Sequence, residues 1–230
     1  MALSPRRPAD PEPDLTSLVV IHRAMLEDLA RLTDVLGQLC GRDIVPVRGR
    51  AIGHYASALL TQISHHHQNE DDLVWPVIAA TAGQAIDLTP LTDDHTALEP
   101  AIARVGRALM VLPDAPGQGM TDLHASVRDL REMLGEHIKD EENQILPVMR
   151  RYVRAESYRW CEKQIQQKAS LSTLRFAVPW LARFARPDEL SRMLAVGGWP
   201  VRLLLALTRP RYRRLERRAF GDLTDSWRNQ

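Results

Sequence analysis

The stretch His66-His67-Gln68-Asn69-Glu70-Asp71-Asp72-Leu73-Val74-Trp75-Pro76 has a counterpart 71 residues further on, His137-Ile138-Lys139-Asp140-Glu141-Glu142-Asn143-Gln144-Ile145-Leu146-Pro147. Both read His-x-x-x-Glu-(Asp/Glu)-x-x-x-x-Pro. Each is preceded by one more histidine, His22 lying 44 residues before His66 and His95 lying 42 before His137. Residues four apart on a helix share a face, so His66 with Glu70, and His137 with Glu141, each offer one nitrogen and one oxygen to a common point. The question for the fold is whether those points are buried.

Apolar residues at spacings of three and four answer it. In the segment behind Pro46 the seam reads Ile52, Ala56, Leu59, Ile63, His66, Glu70, Leu73, Val77, and in the segment from about Thr121 to Val153 it reads Leu123, Val127, Leu130, Leu134, His137, Glu141, Ile145, Val148. The segment from about Leu15 to Leu39 places His22 between Leu18 and Met25, and the one from Thr89-Pro90 to Pro113 places His95 between Leu91 and Leu98. Gly41, Gly83 and Pro113 punctuate these four blocks. Short loops between amphipathic helices favour antiparallel neighbours, which predicts an all-α, up-down-up-down four-helix bundle. The polar residues of the repeat lie on its buried seams. Four imidazoles and two carboxylates cannot be buried there cheaply without something to satisfy them, and metal cations would do so. A nitrogen and oxygen donor set without thiolate suits iron or manganese and is tolerated by zinc.

The four-part pattern resembles that of the hemerythrin-like (HHE cation-binding) family: a histidine on the first helix, His-x-x-x-Glu on the second, a histidine on the third and His-x-x-x-Glu on the fourth. The resemblance covers about residues 15–153. It implies a bundle holding two iron ions, oxo- or hydroxo-bridged, with one face of the pair open to a small diatomic or peroxide ligand. Carried over position by position, His22 and His66 would hold one iron, His95 and His137 the other, and Glu70 and Glu141 would bridge them; manganese or zinc fit less well. The chain departs from the oxygen-carrying members on its third helix, where Glu99 stands four residues after His95 in place of a second histidine. Either Glu99 replaces that ligand, favouring the ferric state and redox chemistry, or Pro100 turns it out to solvent at a kink. His67 is read as a neighbour of the ligands, or as a replacement for His66 if the register slips by one. His54, His65 and His124 are expected at the surface. Asp71 and Glu142, next to the bridging acids, either orient a ligand histidine on an adjacent helix or are solvated.

Two hypotheses of function follow, a redox-active diiron protein that binds or turns over oxygen, peroxide or nitric oxide, and a binding module that senses metal or redox state and signals through the rest of the chain.

The rest of the chain is different in character. Residues 1–149 hold 12 Lys+Arg against 22 Asp+Glu, whereas 150–230 hold 18 against 7. We therefore expect a leader without regular structure (1–14), the bundle (15–153) and a basic helical appendage (154–230) made of fragments Trp160–Val178, Pro187–Ala195, Trp199–Leu207 and Arg211–Phe220, cut by proline and glycine. The appendage either docks on the acidic bundle or meets a partner protein or membrane surface. No nucleic-acid-reading motif is present. The most apolar stretch, Met193 to Leu207, is interrupted by Gly197, Gly198, Pro200 and Arg202, so no transmembrane helix is expected. With no apolar targeting segment at the start, and only Cys40 and Cys161 as isolated thiols, a cytoplasmic protein is the expectation.

Overall fold

The computed structural model describes residues 3–112 and 116–221, and every regular element among them is helical. The bundle is built from α1 (Thr16–Leu39), α2 (Pro46–Asn69), α4 (Thr89–Val111) and α5 (Pro116–Tyr152). Between α2 and α4 lie a π-helical turn (Glu70–Val74), the short α3 (Trp75–Ala82) and a 3-10 turn (Gly83–Ala85). Helices α6 (Ala155–Lys168), α7 (Leu171–Phe184) and α8 (Pro187–Phe220) form the appendage. The expected stop at Pro113, the first two residues of the leader and residues 222–230 of the appendage lie outside the described residues.

His22 and His95 lie early in α1 and α4, and His66 and His137 lie late in α2 and α5. Only antiparallel succession brings those four positions to one level, which is the up-down-up-down arrangement. Burial runs along the seams read from the sequence and falls into two apolar clusters. One holds Met25, Leu29, Ile63, Leu98 and Leu134. The other holds Leu18, Val74, Leu91 and Ile145. The histidines and glutamates form a polar layer between them.

Two register details differ from a plain helical reading: the α5 seam ends on buried Met149 rather than half-buried Val148, and the other lies in the π turn. The seam expected at Leu73 is carried instead by Val74, which is buried while Leu73 is half-buried. The Trp75 amide donates to Glu70 O, five residues back, so the π turn inserts one residue into the repeat. Pro76 follows directly; it has no amide to donate to Asp72, so the regular α ladder is already broken there.

The appendage breaks at other places than expected: the fragment Trp160–Val178 is cut between α6 and α7, whereas helical geometry continues through Pro179 and Pro210. Helix α8 runs 34 residues through Pro200 and Pro210 and breaks only at Gly198, whose φ of 68° and ψ of −162° are open to glycine almost alone. Pro200 then falls in the first turn of the second half, where a missing amide costs little. By length and composition α8 is apolar enough to cross a membrane, and only 6 % of its apolar stretch is buried. Its last turns, with Tyr212, Glu216, Ala219 and Phe220, are nevertheless buried in the core cluster of the bundle.

The most buried ion pairs that join the appendage to the bundle reverse the sense of the net charges. Buried Arg31 of α1 donates to Asp28 (2.7 Å) and to Glu216 of α8 (2.8 Å). Asp28 also accepts from the Tyr55 hydroxyl (2.6 Å) and from the Trp180 indole of α7 (2.7 Å). Arg23 of α1 makes a two-pronged pair with Glu189 of α8 (2.7 and 2.9 Å). Bundle arginines thus hold appendage glutamates, while Arg209, Arg211, Arg214, Arg217 and Arg218 stay exposed. Residues 3–14 carry no helix, but the Arg6 amide donates to Tyr152 O (2.7 Å) and Asp10 pairs with Arg154 (3.4 Å), which lays this segment along the end of α5.

Candidate metal centre

His22, His66, Glu70, His95, His137 and Glu141 are all buried and converge on the polar layer. Two groups of ligand atoms, each within 4.8 Å of one another, can be drawn: His22, His66, Glu70 and Glu141, and His67, His95 and His137. The two carboxylates lie between the groups. Glu70 approaches His66 Nε2 with Oε1 (3.2 Å) and His95 Nε2 with Oε2 (3.7 Å). Glu141 Oε2 is 3.4 Å from His22 Nε2 and 3.8 Å from His137 Nε2. Each glutamate therefore faces an imidazole of both groups.

The outer nitrogens of three imidazoles are held by acids. His22 Nδ1 donates to Glu142 (2.9 Å) and His95 Nδ1 to Asp71 (3.0 Å), and His137 Nδ1 lies 3.4 Å from Asp94. In each case the acid is the chain neighbour of a cluster residue on another helix. A proton fixed on Nδ1 leaves the Nε2 lone pair directed at the cluster, which is the tautomer that ligates metals.

What these lone pairs lack is a partner. His67 Nε2, His95 Nε2, His137 Nε2 and both oxygens of Glu70 and Glu141 are buried without a hydrogen bond. His22 Nε2 and His66 Nε2 face each other at 3.0 Å, although the Glu142 contact already places the His22 proton on Nδ1. Burial, with Glu141 beside it, holds the Glu70 carboxyl well above the usual carboxylate range. Burial among other imidazoles lowers His66 well below its ordinary value and His67 to about 2. Such groups are costly when charged or unpaired, and a cation would satisfy the imidazole lone pairs and the carboxylates together. The donor set fits metal ions.

A family model described as Hemerythrin HHE cation binding domain matches residues 14–149. The chain belongs to this hemerythrin family. The match takes in α1 to α4 and nearly all of α5, the elements that supply every cluster residue. No curated protein and no solved structure matches the chain.

Within this hemerythrin-family bundle, two positions bear on alternatives that the sequence left open. Glu99, a candidate ligand, is exposed and belongs to neither group. Helix α4 continues through Pro100, and its buried face passes from His95 to Leu98 and Ala101, leaving Glu99 to solvent. Beside His95 lies His67 from α2, whose ring stacks on His95 (centroids 4.4 Å, 16°) and meets His137 edge-on (5.3 Å, 86°). The sequence offered His67 as a neighbour or as a substitute for His66; the structure buries both. Asp94 went unread, although it adjoins a ligand histidine as Asp71 and Glu142 adjoin ligand glutamates. Trp75, whose ring lies parallel to His95 at 6.1 Å, was given no role by the sequence. Of the remaining histidines, His54 and His65 are exposed, and His124 is half-buried over Gly37, where an added Cβ would meet its Nε2 at 3.1 Å.

Proposed function

We propose that the chain is a non-haem diiron protein that binds or reacts with a small oxidant such as oxygen, peroxide or nitric oxide. The observation that carries this reading is the set of buried, unpartnered lone pairs on His67, His95, His137, Glu70 and Glu141, directed into one polar layer between two apolar clusters. His22 and His66 would hold one ion, His67, His95 and His137 the other, and Glu70 and Glu141 would span the two. When bound, the irons supply exchangeable coordination positions and reversible one-electron steps. The protein contributes the rest: Glu142, Asp71 and Asp94 keep protons on the outer imidazole nitrogens, and the apolar layers above and below exclude water. Three imidazoles on one side against two on the other leave the His22 and His66 side less saturated, so the small ligand is assigned to that side.

Metal analysis and an optical spectrum after aerobic purification test the proposal. About two irons per chain, with charge-transfer absorption in the near ultraviolet, is the expected result. A folded chain unable to take up iron would overturn it.

A second reading, metal or redox sensing with the appendage as output, is favoured by one contact. The Cys161 thiol of α6 lies 3.5 Å from Leu73 O, within the π turn that carries Glu70, so movement of that turn reaches the appendage directly. Hydrogen exchange over residues 154–221 in oxidised and reduced protein separates the readings: protection that changes with oxidation state, without peroxide consumption, supports sensing.

A further inference from the structure

Between the bundle and the appendage lies a cavity of about 630 Å³. Its walls are mainly apolar and come from both parts, with Leu18 of α1, Ile165 of α6, Ala177 and Leu181 of α7, and Met193 and Val201 of α8 among them. Its lining also includes His66 and Glu70, so the cavity reaches the metal cluster on the side with fewer imidazoles. The void is long. Lining residues run from Tyr158 to Lys168 on α6, a span of about 15 Å at the rise of a helix, and on α8 they lie on both sides of the Gly198 kink, from Leu190 to Leu205.

A second observation concerns the opposite face of α8. Trp199, Leu203 and Leu207 are 75, 50 and 70 % exposed and form a stripe at helical spacing. Exposed Arg202 lies beside the stripe, and Arg209 and Arg211 follow it. Such an unburied apolar stripe marks an interaction surface, and tryptophan and leucine bordered by arginine is the pattern of a helix lying in the headgroup region of a bilayer. The helix that walls the cavity on one face thus presents a lipid-compatible surface on the other.

We propose that the cavity binds one acyl-chain lipid, its hydrocarbon extended between α6, α7 and α8 and one end against His66 and Glu70. This deepens the proposed function, since it assigns an apolar, chain-like molecule to the same centre. A mostly apolar wall rules in hydrocarbon, and the length of the void suits an extended chain better than a compact ring system. Two of the three lysines and arginines in the lining are already paired with acids: Lys168 with Asp72 (3.4 Å), and Arg192 with Asp188 and Asp14 (2.9 and 3.9 Å). The hydrocarbon rather than a headgroup therefore supplies recognition.

The test uses the full chain, metal-free and iron-loaded, with hexadecanoate as probe and displacement of a fluorescent fatty acid as readout. One hexadecanoate should bind per chain in both forms, and the optical spectrum of the iron-loaded form should shift on binding. Ala177→Phe places a ring in the void and should weaken binding about tenfold or more, with Val201→Phe as a second filling variant if the first fails to fold. Absence of hexadecanoate binding, or binding unchanged in a folded filling variant, would sink the proposal. Flotation with phosphatidylcholine–phosphatidylserine vesicles, lost in Trp199→Glu, would show that the lipid is drawn from a bilayer; hexadecanoate binding without flotation would show that it is taken from solution. Both outcomes retain the site. A chain that binds hexadecanoate but takes up no iron leaves this inference standing and removes the diiron reading, whereas an iron-loaded chain indifferent to hexadecanoate does the reverse.

Discussion

His66 and His67 are adjacent in the chain and serve opposite sides of the polar layer, one facing His22 and the other stacked on His95. Successive helical residues point about a quarter-turn apart, so two neighbours can both be buried only where a helix is surrounded, and α2 is flanked here by α1, α4 and the appendage. If His67 completes the second ion's ligands, His67→Ala should lower iron content from about two per chain to about one, since a site that loses one of three imidazoles loses most of its affinity. Glu99→Gln should leave iron content and spectrum unchanged, because that side chain is exposed and outside both groups. Equal loss in both variants would return Glu99 to the ligand set. Asp71 acts one step further out, holding the His95 Nδ1 proton at 3.0 Å. Asp71→Ala should weaken metal affinity about 10–100-fold without abolishing binding, as measured by competition with a chelator.

At the scale of elements, the four bundle helices were readable because each carries its own punctuation and a seam of constant spacing, from Pro46 opening α2 to Gly83 closing α3. Six of the seven candidate ligands could be placed because burying an imidazole or carboxylate on such a seam needs a compensating partner. The π turn could not be read, since one inserted residue leaves the composition unchanged and shows only in which of Leu73 and Val74 is buried. Nor could the fate of Glu99, which depends on α4 remaining helical across Pro100, or the burial of His67, which depends on neighbours far away in sequence. In helix α8 the break at Gly198 was legible but the one expected before Arg211 was not real, since Pro210 looks like a breaker yet helical geometry continues through it. Gly198 makes a test. Its φ of 68° with ψ of −162° is nearly closed to side chains, so Gly198→Ala should cost about 1–3 kcal/mol. Thermal unfolding should register the loss, and proteolysis should increase near residue 198; an unchanged melting temperature would mean that the kink is not needed for the docking of α8.

For the whole molecule, the buried charges decide whether bundle and appendage unfold together. Asp28, Arg31 and Glu216 join α1 to α8, with Tyr55 and Trp180 bringing in α2 and α7. Removing one member of such a network leaves another charge buried and uncompensated, at a cost of about 3–5 kcal/mol. Glu216→Ala should therefore lower the melting temperature of the entire chain in one transition, with α-helical signal and tryptophan fluorescence lost together; separate transitions would show that the appendage is an independent layer. The second link, Arg23 with Glu189, predicts a dependence on pH. The two-pronged hydrogen bond from Arg23 holds the Glu189 carboxyl at about 2, against an ordinary value of 4.5. A carboxylate lowered in the folded state binds its proton more readily once unfolded, so its stabilisation is fully present above 4.5 and fades as pH falls through about 2. At neutral pH it amounts to roughly 1–2 kcal/mol, less than the full shift implies because Arg23 is partly open to solvent. Urea unfolding of the metal-free chain and of Glu189→Gln should differ by that amount at neutral pH and by clearly less near pH 3, roughly midway through the titration. A gap that persists undiminished in acid would show that Glu189 acts by packing rather than by charge.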